Sequence, residues 1–310
     1  MNSQIEEYIR IYNSIDFGKI IDHPNILIAA NFWEADRYQA ARSAYKFMRT
    51  IDDLIDNHKA IRRGIAPEER QKFMSDVNDW LLKLINSGDH DPEKKDLLAT
   101  IDKFVIPVWP LEAFAKSMIY DINHDGFPTI DSFLEYAQGA SVAPASIFLH
   151  LSGIKKTNGG YRPPEFDVKE AATPAALFSY LVHIIRDFQK DQFNNLNYFA
   201  DDIAAKHGLE RKQLYDIAHG SPVTGGFRNM IREYVSLAEI YRIQTLESIY
   251  RIKPFLEERY LLGIEIIYDL YAMVFERIDA DSGNFTSFEL NPTPEETRKR
   301  VYATILRFDP

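Results

Sequence analysis

Residues 45–56, YKFMRTIDDLID, are the stretch that most restricts the fold of this chain. Asp52 and Asp56 lie four positions apart, slightly more than one turn of an α-helix, so both carboxylates project from the same face. Tyr45 and Arg49 precede them at helical spacing and extend that face into one polar stripe. The stretch therefore predicts a helix with an acidic stripe along one side.

A second acidic pair lies far along the chain, in the segment RDFQKD at 186–191. Asp187 and Asp191 are again four apart, and Tyr180 and His183 precede them at helical spacing. Two such stripes would meet across a bundle of helices, where like charges repel unless a cation lies between them. Ligands that are all oxygen atoms favour Mg²⁺, which commonly completes its coordination shell with phosphate. The two pairs together predict a magnesium site for a phosphate-bearing ligand.

Each acidic pair also has a simpler interpretation as a solvated helix face, the usual role of an isolated pair. The neighbours Ile51, Leu54 and Ile55 instead favour partial burial, and buried carboxylates require partners. Arg49 fits either an ion pair within its helix or a clamp on a diphosphate oxygen. His183 fits a hydrogen-bonded core histidine as well as a residue that contacts ligand.

The composition indicates a globular protein rather than a disordered or nucleic-acid-binding one. The chain has 310 residues and a net charge of −10, which argues against a nucleic-acid partner. It has no cysteine, which excludes disulfides, thiolate metal sites and cysteine nucleophiles. The polar start, MNSQIEEYIR, lacks the features of a signal peptide, and no early apolar run is long enough to span a bilayer. We expect one soluble domain over residues 1–310, located in the cytoplasm, with peripheral membrane contact compatible with a lipid substrate.

Nearly every segment shows helical period, which predicts an all-α fold of antiparallel helices around a central space. No segment shows convincing strand alternation. Pro144 predicts a kink, and the segment GIKKTNGGYRPPE at 153–165 predicts a loop. The predicted helices are 2–15, 22–30, 36–57, 67–85, 92–104, 110–122, 129–150, 168–192, 202–207, 211–218, 227–250, 256–278 and 294–308.

The first stretch resembles the first aspartate-rich motif of the squalene/phytoene synthase family, which is Tyr, three residues, Arg, two residues, Asp-Asp-x-x-Asp. The matching positions are Tyr45, Arg49, Asp52, Asp53 and Asp56. The segment HIIRDFQKDQFNNLNYF is similar to the second motif, in which Arg-Asp-x-x-x-Asp is followed seven residues later by Tyr. The matching positions there are Arg186, Asp187, Asp191 and Tyr198. The resemblance extends over roughly residues 20–280 and includes a central helix in which a Tyr precedes small residues.

The resemblance implies an all-α class I isoprenoid synthase fold, a helical bundle with a central active-site cavity. It further implies that Mg²⁺ ions hold prenyl diphosphate substrates, two of which join head to head. The implied metal ligands are Asp52, Asp56, Asp187 and Asp191, and with Tyr45 they form the implied catalytic set. The implied substrate-binding residues are Arg49, Asp53, His183, Arg186 and Tyr198. Squalene synthases of the family also use NADPH, so that cofactor is left open here.

Several positions depart from the pattern of the family. The Gln and Asn that usually precede the second motif are Tyr180 and His183, and an Arg often found near the motif's Tyr is Leu196. A hydroxyl-rich segment near the N-terminus corresponds to HPNIL, and the C-terminal NFTSFELNP lacks an expected basic residue. Arg186 equally fits a structural ion pair with its neighbour. The metal-binding positions are thus retained while part of the diphosphate-binding shell differs.

The leading hypothesis is Mg²⁺-dependent head-to-head condensation of two molecules of farnesyl or geranylgeranyl diphosphate through a cyclopropylcarbinyl diphosphate. One alternative is a terpene cyclase that ionises a single prenyl diphosphate. Another is a non-catalytic assembly protein with this fold, against which the retention of all four aspartates argues. The sequence leaves open the chain length, the product, the use of NADPH, the occurrence of both half-reactions and the oligomeric state.

Overall fold

The computed structural model describes residues 3–19, 24–62, 64–85 and 92–309. These residues form sixteen α-helices, one β-hairpin, a π-helical segment (Gln138–Val142) and a 3₁₀ turn (Lys253–Phe255). The helices are α1 (Ser3–Ser14), α2 (Pro24–Ala30), α3 (Ala35–Arg62), α4 (Pro67–Ile85), α5 (Pro92–Phe104), α6 (Trp109–Asn123), α7 (Ile130–Ala137), α8 (Ala143–Gly153), α9 (Val168–Arg186), α10 (Phe188–Phe193), α11 (Asp201–Lys206), α12 (Arg211–Ala218), α13 (Gly225–Ile252), α14 (Glu258–Phe275), α15 (Ser287–Leu290) and α16 (Pro294–Arg307).

The helices that carry the two acidic motifs pack around a shared neighbour. Helix α8 packs against both α3 and α9, while α9 also packs against α13 and α14, and α3 packs against α6. The main apolar cluster fills the space between them and includes the fully buried rings of Phe32, Phe133, Phe178 and Tyr260. Burying each such side chain contributes about 1.5–3 kcal/mol. The predicted all-α bundle is confirmed.

Local capping chemistry determines where two long helices of the bundle begin. The Asp167 side chain accepts a hydrogen bond from the backbone N–H of Glu170 at 2.9 Å, at the start of α9. Thr224 accepts one from the backbone N–H of Phe227 at 3.2 Å, at the start of α13. Each contact satisfies an N–H group that has no partner within the first helical turn. The predicted helix starts at residues 2 and 22 lie outside the described residues.

The segment 153–165, predicted as a loop, contains a β-hairpin instead. Strand β1 (Lys155–Thr157) pairs antiparallel with strand β2 (Gly160–Arg162) across the Asn-Gly dipeptide at 158–159. Asn-Gly is a common hairpin turn, and here the positive φ, 139°, is taken by the next residue, Gly160. The prediction that strands are absent was wrong here because three residues per strand are too few to show alternation.

The predicted helix 129–150 is interrupted earlier than at Pro144. A π-helical segment, Gln138–Val142, separates α7 from α8, and Pro144 lies in the first turn of α8, where its missing N–H costs no hydrogen bond. Gly139 lies so close to α6 that an added Cβ would be 2.0 Å from the carbonyl oxygen of Ala113. The π-helical geometry therefore coincides with the close approach of Gly139 to α6 and not with Pro144.

The predicted helix 168–192 is also divided. Helix α9 ends at Arg186 and α10 begins at Phe188, because Asp187 takes φ −92° and ψ 3°, outside the helical range. The backbone N–H of Asp191 still donates to the carbonyl of Asp187 at 2.8 Å. The two aspartates of the second motif are therefore on adjoining helices rather than on one straight stripe.

Two further findings concern segments outside the motifs. The polar stretch 279–291 contains the short helix α15, which is capped by Thr286. Within the ranges that the structure describes, no helix combines the length and the apolar character needed to cross a membrane.

Candidate active site

Helix α3 presents Arg49, Asp52 and Asp53 as one ion-paired group. The Nη1 atom of Arg49 lies 2.7 Å from Oδ2 of Asp52, and Nη2 lies 2.5 Å from Oδ1 of Asp53. All three side chains are partly exposed, although protein atoms surround Asp52 closely enough to disfavour its charge. Of the two interpretations of Arg49, the structure shows the ion pair within the helix; its contact with diphosphate stays a prediction.

Burial and repulsion raise the pKa of both metal-ligand candidates on α3. The pKa of Asp52 rises to about 6, chiefly through burial, with Arg49 opposing the shift and the charges of Asp121 and Asp53 adding to it. The pKa of Asp56 rises to about 8, first through burial and then through the charges of Asp52 and Asp121. A raised pKa means that the surroundings disfavour the ionised form of the carboxylate, here through burial first and neighbouring negative charge second.

Asp187 has the opposite environment. Its two oxygens accept hydrogen bonds from Nε and Nη2 of Arg186, at 2.7 and 2.9 Å, and Nε2 of His183 lies 2.7 Å from Oδ2. Burial alone would raise the pKa of Asp187, but His183 and Arg186 outweigh it and hold that pKa well below its usual range. Arg186 therefore forms the structural ion pair, and both oxygens of Asp187 are engaged by protein partners.

Asp191 connects the two motifs electrostatically. Burial raises its pKa well above the ordinary value, and the charges of Asp187 and Asp56 raise it further. Asp56 belongs to α3 and Asp191 to α10, so the effect of the Asp56 charge on the pKa of Asp191 indicates that the two acidic stripes face one another. A metal site shared by the two motifs stays a prediction.

Helix α6 contributes a further carboxylate, which the sequence analysis missed. Asp121 is buried; its Oδ1 accepts a hydrogen bond from Nζ of Lys59 at 2.9 Å, and its Oδ2 accepts one from the hydroxyl of Tyr136 at 2.7 Å. The available signal was its place on the apolar face of α6, at helical spacing from Phe114 and Met118. A lone aspartate on such a face requires buried partners.

Three tyrosines lie beside these carboxylates. The ring centroids of Tyr136 and Tyr180 are 6.4 Å apart, and those of Tyr180 and Tyr198 are 6.2 Å apart. Burial raises the pKa of each hydroxyl well above its usual value, and neighbouring aspartates raise it further. The hydroxyls are therefore neutral donors at physiological pH. Tyr198 was a candidate substrate-binding residue, Tyr180 was a departure from the family pattern, and Tyr136 is the tyrosine that precedes the small residues of the central helix.

Residues 24–305 match the sequence model of the squalene/phytoene synthase family. The chain belongs to that family. Solved structures with the same fold include a dehydrosqualene synthase in complex with ligand, at 15% identity and a TM-score of 0.65 over 97% of this chain and 98% of that chain. Squalene synthase HpnC from Alicyclobacillus acidocaldarius shares 14% identity, with a TM-score of 0.64 over 88% of this chain and 92% of that one.

A third structure, YisP from Bacillus subtilis subsp. subtilis strain 168, shares 15% identity and has a TM-score of 0.62, covering 97% of this chain and 98% of its own. At such identities the likeness shows a common fold. No curated protein matches the chain. Membership in the family makes this protein a prenyltransferase of the kind that joins prenyl diphosphates head to head.

The family implies Mg²⁺, and the carboxylates of this synthase suit a site in which phosphate and water would occupy the remaining coordination positions. In the described ranges, no three His, Asp or Glu side chains are grouped so that they alone could hold a metal ion. Asp52, Asp56 and Asp191 each have a raised pKa, which a bound cation would lower. Mg²⁺ is usually held by one or two carboxylates together with phosphate and water rather than by a complete protein cage. The donor set therefore suits Mg²⁺ that arrives with a diphosphate.

A narrow apolar cleft opens between α2, α3 and α8 of the synthase. Its volume is about 20 Å³. That volume suits about one water molecule, so a prenyl chain requires its walls to move apart. Tyr45 belongs both to this cleft and to the polar stripe of α3. The lining residues are Ile26, Ala41, Ala44, Tyr45, Met48, Pro144, Ile147 and Phe148.

A larger cleft, of about 420 Å³, lies between α13, α14 and α16. It contains none of the motif residues. Two of its arginines are paired with acidic side chains, Arg242 with Glu239 at 2.6 Å and Arg300 with Glu276 at 2.6 Å. The charges of these two arginines are thus satisfied within the protein.

Proposed function

We propose that this synthase carries out the Mg²⁺-dependent head-to-head condensation of two molecules of farnesyl or geranylgeranyl diphosphate. The observation that supports this most directly is the environment of Asp191 in the second motif, whose pKa is raised by burial and by the charges of Asp187 and of Asp56 from the first motif. A cation beside these carboxylates would relieve that repulsion, and a diphosphate would complete the shell of that cation. The product would be of the squalene or phytoene type, formed through a cyclopropylcarbinyl diphosphate.

In the proposed reaction, Asp52, Asp56 and Asp191 would hold the metal, which would supply positive charge to the leaving diphosphate. Arg49 supplies a guanidinium at the edge of the same cluster, where it can exchange an aspartate oxygen for a phosphate oxygen. Asp187 contributes through its fixed orientation, because Arg186 and His183 already engage both of its oxygens.

The allylic cation that forms when diphosphate leaves requires an aromatic surrounding that excludes water. Tyr136, Tyr180 and Tyr198 provide neutral rings beside the acidic cluster. The apolar cleft next to Tyr45 would accept the prenyl chain once its walls move apart. Together these features support a carbocation reaction in the space next to the aspartates.

A single-substrate synthase is the second candidate, and the narrowness of the cleft favours it. A space of about 20 Å³ must expand for even one prenyl chain. Tyr180 and His183 replace two amide side chains that the family usually has near its diphosphates. An enzyme that ionises one prenyl diphosphate would need less room than one that joins two.

The decisive experiment incubates the purified protein with Mg²⁺ and prenyl diphosphates of ten, fifteen and twenty carbons, each with and without NADPH. We expect diphosphate release and an apolar product with twice the carbon number of the substrate, or its cyclopropyl diphosphate. A product with the carbon number of one substrate would favour the second candidate. No diphosphate release from any of the substrates would overturn both.

A further inference from the structure

The apolar cleft beside Tyr45 extends along α3, away from the acidic stripe. The cleft residues Met48, Ala44 and Ala41 precede Asp52 at helical spacing, so all of them lie on one face of the helix. Alanine side chains are small and leave room for an apolar chain beside the helix. A prenyl chain whose diphosphate lies beside Asp52 would therefore follow α3 toward Ala41.

A buried arginine lies at the far end of this cleft. Arg37 is one helical turn before Ala41 on the same face of α3, and it is 1% exposed. Its Nη1 atom donates a hydrogen bond of 3.0 Å to the backbone carbonyl of Leu151 on α8. Leu151 follows the cleft residue Ile147 by one turn, so this bond crosses from α3 to α8 just beyond the cleft.

Aromatic rings hold the guanidinium of Arg37 from other directions. Its Cζ atom lies 4.1 Å from the ring centroid of Tyr260 on α14 and 5.4 Å from that of Tyr161 on β2. The ring of Trp33 connects this group to the cleft, because its centroid is 5.7 Å from that of Tyr260 and 4.3 Å from that of Phe148. The far end is thus anchored by α8, α14 and the hairpin, so separation of the side walls would widen the cleft without lengthening it.

The charge of Arg37 opposes an apolar chain as much as its bulk does. Among the described residues its Nε atom has no hydrogen-bond partner, and a carboxylate oxygen of Glu257 lies 3.9 Å from its Nη2 atom. A buried cation with so few partners depends on each of them. An apolar chain that displaced the guanidinium from Leu151 and Tyr260 would offer it no replacement contact.

The length of the cleft separates the two candidate substrates. Its apolar part begins at Met48, and at about 1.5 Å per residue Arg37 lies roughly 16 Å farther along the axis of α3. An extended carbon chain advances roughly 1.2 Å per bond, so a farnesyl chain spans about 13 Å and a geranylgeranyl chain about 18 Å. The shorter chain ends before the guanidinium, whereas the longer one would overlap it.

We propose that Arg37 is a specificity-determining residue that limits the prenyl chain in this cleft to fifteen carbons, which makes farnesyl diphosphate the preferred substrate. The last isoprene unit of geranylgeranyl diphosphate has no place unless Arg37 leaves its partners. Geranyl diphosphate leaves the end of the cleft unfilled and buries less apolar surface. This inference rests on the proposed function, which it narrows to one chain length.

The test measures binding separately from reaction. Prenyl thiolodiphosphates of ten, fifteen and twenty carbons, in which sulfur replaces the oxygen that leaves with diphosphate, are titrated into the wild-type protein by calorimetry in excess Mg²⁺. We expect the fifteen-carbon analogue to bind at least about 10-fold more tightly than either of the others, the scale of a misfit in an apolar pocket. Affinity that rises steadily from ten to twenty carbons, or no binding of any analogue, would overturn the inference.

Two variants move the end of the cleft in opposite directions. Arg37→Met removes the guanidinium, so the twenty-carbon analogue should bind at least as tightly as the fifteen-carbon one. Ala41→Leu fills the cleft one turn nearer to Asp52 and should make the ten-carbon analogue the tightest. A defect in packing alone would weaken all three analogues without changing their order. If Arg37→Met does not fold, Arg37→Gln replaces it, since it is shorter and retains a donor for the carbonyl of Leu151.

Arg42 supplies the matched control, because it is exposed on the same helix. Arg42→Met should retain the order and the affinities of the wild type. The wild-type order in the folded Arg37 variant, or the same change in the Arg42 variant, would overturn the inference. If the fifteen-carbon analogue binds best but the wild-type protein releases no diphosphate from any prenyl diphosphate, the proposed function fails while the role of Arg37 stands.

Discussion

Three aspartates of this synthase have the same side chain but different electrostatic surroundings. Asp187 is held ionised by Arg186 and His183, Asp56 is short of positive charge, and Asp121 is neutralised by a buried lysine. Only the first and second belong to the motifs. At the scale of single residues, the number of nearby cations decides which carboxylate is available to a metal.

Replacing aspartate with asparagine should therefore have opposite effects on stability at Asp56 and at Asp187. In chelator at pH 8, Asp56→Asn removes a poorly compensated carboxylate and should raise the free energy of unfolding by about 1 kcal/mol or more. Asp187→Asn leaves the buried Arg186 without its acceptor and should lower that free energy by about 3 kcal/mol. Urea denaturation of both variants measures the difference. Shifts of the same sign would contradict the assigned environments. Both variants should lose most of their activity.

The raised pKa of Asp56 also predicts a pH dependence for the metal-free protein. In the unfolded chain this group has a pKa near 4, and in the folded protein it titrates at about 8. The folded state therefore holds a proton that the unfolded chain lacks, so this contribution to stability is complete below about pH 4 and is lost as the pH rises toward 8. Urea midpoints measured in chelator should fall from pH 5 to pH 8, and the fall should be smaller in Asp56→Asn. An equal fall in the variant would refute the shift.

At the scale of elements, close contact between α6 and the π-helical segment positions the buried hydroxyls. Ser117 on α6 donates a hydrogen bond to the carbonyl of Tyr136 at 2.7 Å, just before the π-helical segment. Gly139 allows the two backbones to approach, because a Cβ there would be 2.2 Å from the hydroxyl oxygen of Ser117. The same helix, α6, carries Asp121. Spacing between these elements thus determines whether Tyr136 reaches its acceptor.

Gly139→Ala should force α6 away and lower the free energy of unfolding by about 3 kcal/mol, as overpacking of a well-packed contact does. Activity should fall with it, since Tyr136 and Asp121 would separate. Gly225→Ala is the matched control, because an added Cβ at that helical glycine meets nothing within 4 Å. That control should change stability by less than about 0.5 kcal/mol. Thermal unfolding measures the stability of both variants. Similar losses of stability in the two would contradict the tight packing at Gly139.

At the scale of the whole molecule, the candidate ligands come from separate helices and form an open site. Asp52 and Asp56 lie on α3, whereas Asp191 lies on α10. These helices are distant in sequence, so folding of the bundle is needed to bring them near one another. Residual repulsion between them opposes the folded state until a cation is bound. Binding of metal and diphosphate should therefore be cooperative, since the metal supplies positive charge and the diphosphate supplies oxygen ligands for the metal.

Mg²⁺ together with inorganic diphosphate should stabilise the protein more than the sum of the two alone. At ligand concentrations near 100 times the dissociation constant, the gain is about 2.7 kcal/mol, or a rise in Tm of roughly 5 °C for a chain of this size. Differential scanning fluorimetry with each component and with both measures this. The double variant Asp52→Asn with Asp191→Asn should show no such gain. An equal gain in that variant would place the ligand elsewhere.

Much of the architecture could be predicted from local pattern. Helical period predicted the all-α class and the approximate bounds of most helices, and the motif around Asp52 and Asp56 indicated the family. Three predictions failed where tertiary or very short-range geometry decides. These are the hairpin Lys155–Thr157 with Gly160–Arg162, the π-helical segment, and the break at Asp187. A three-residue strand has too little length to show a period, and a helix break between two good helix-forming runs leaves no mark in composition.

The two motifs and their helical spacing were enough to predict the family, the fold class and the shared face of Asp52 and Asp56, because helical spacing is a local property. Which carboxylates are neutralised follows only from the folded bundle. Partners such as Lys59 for Asp121 come from helices distant in sequence, and burial depends on the whole bundle. The charge state of a buried aspartate follows from these neighbours, so its chemistry cannot be inferred from spacing alone.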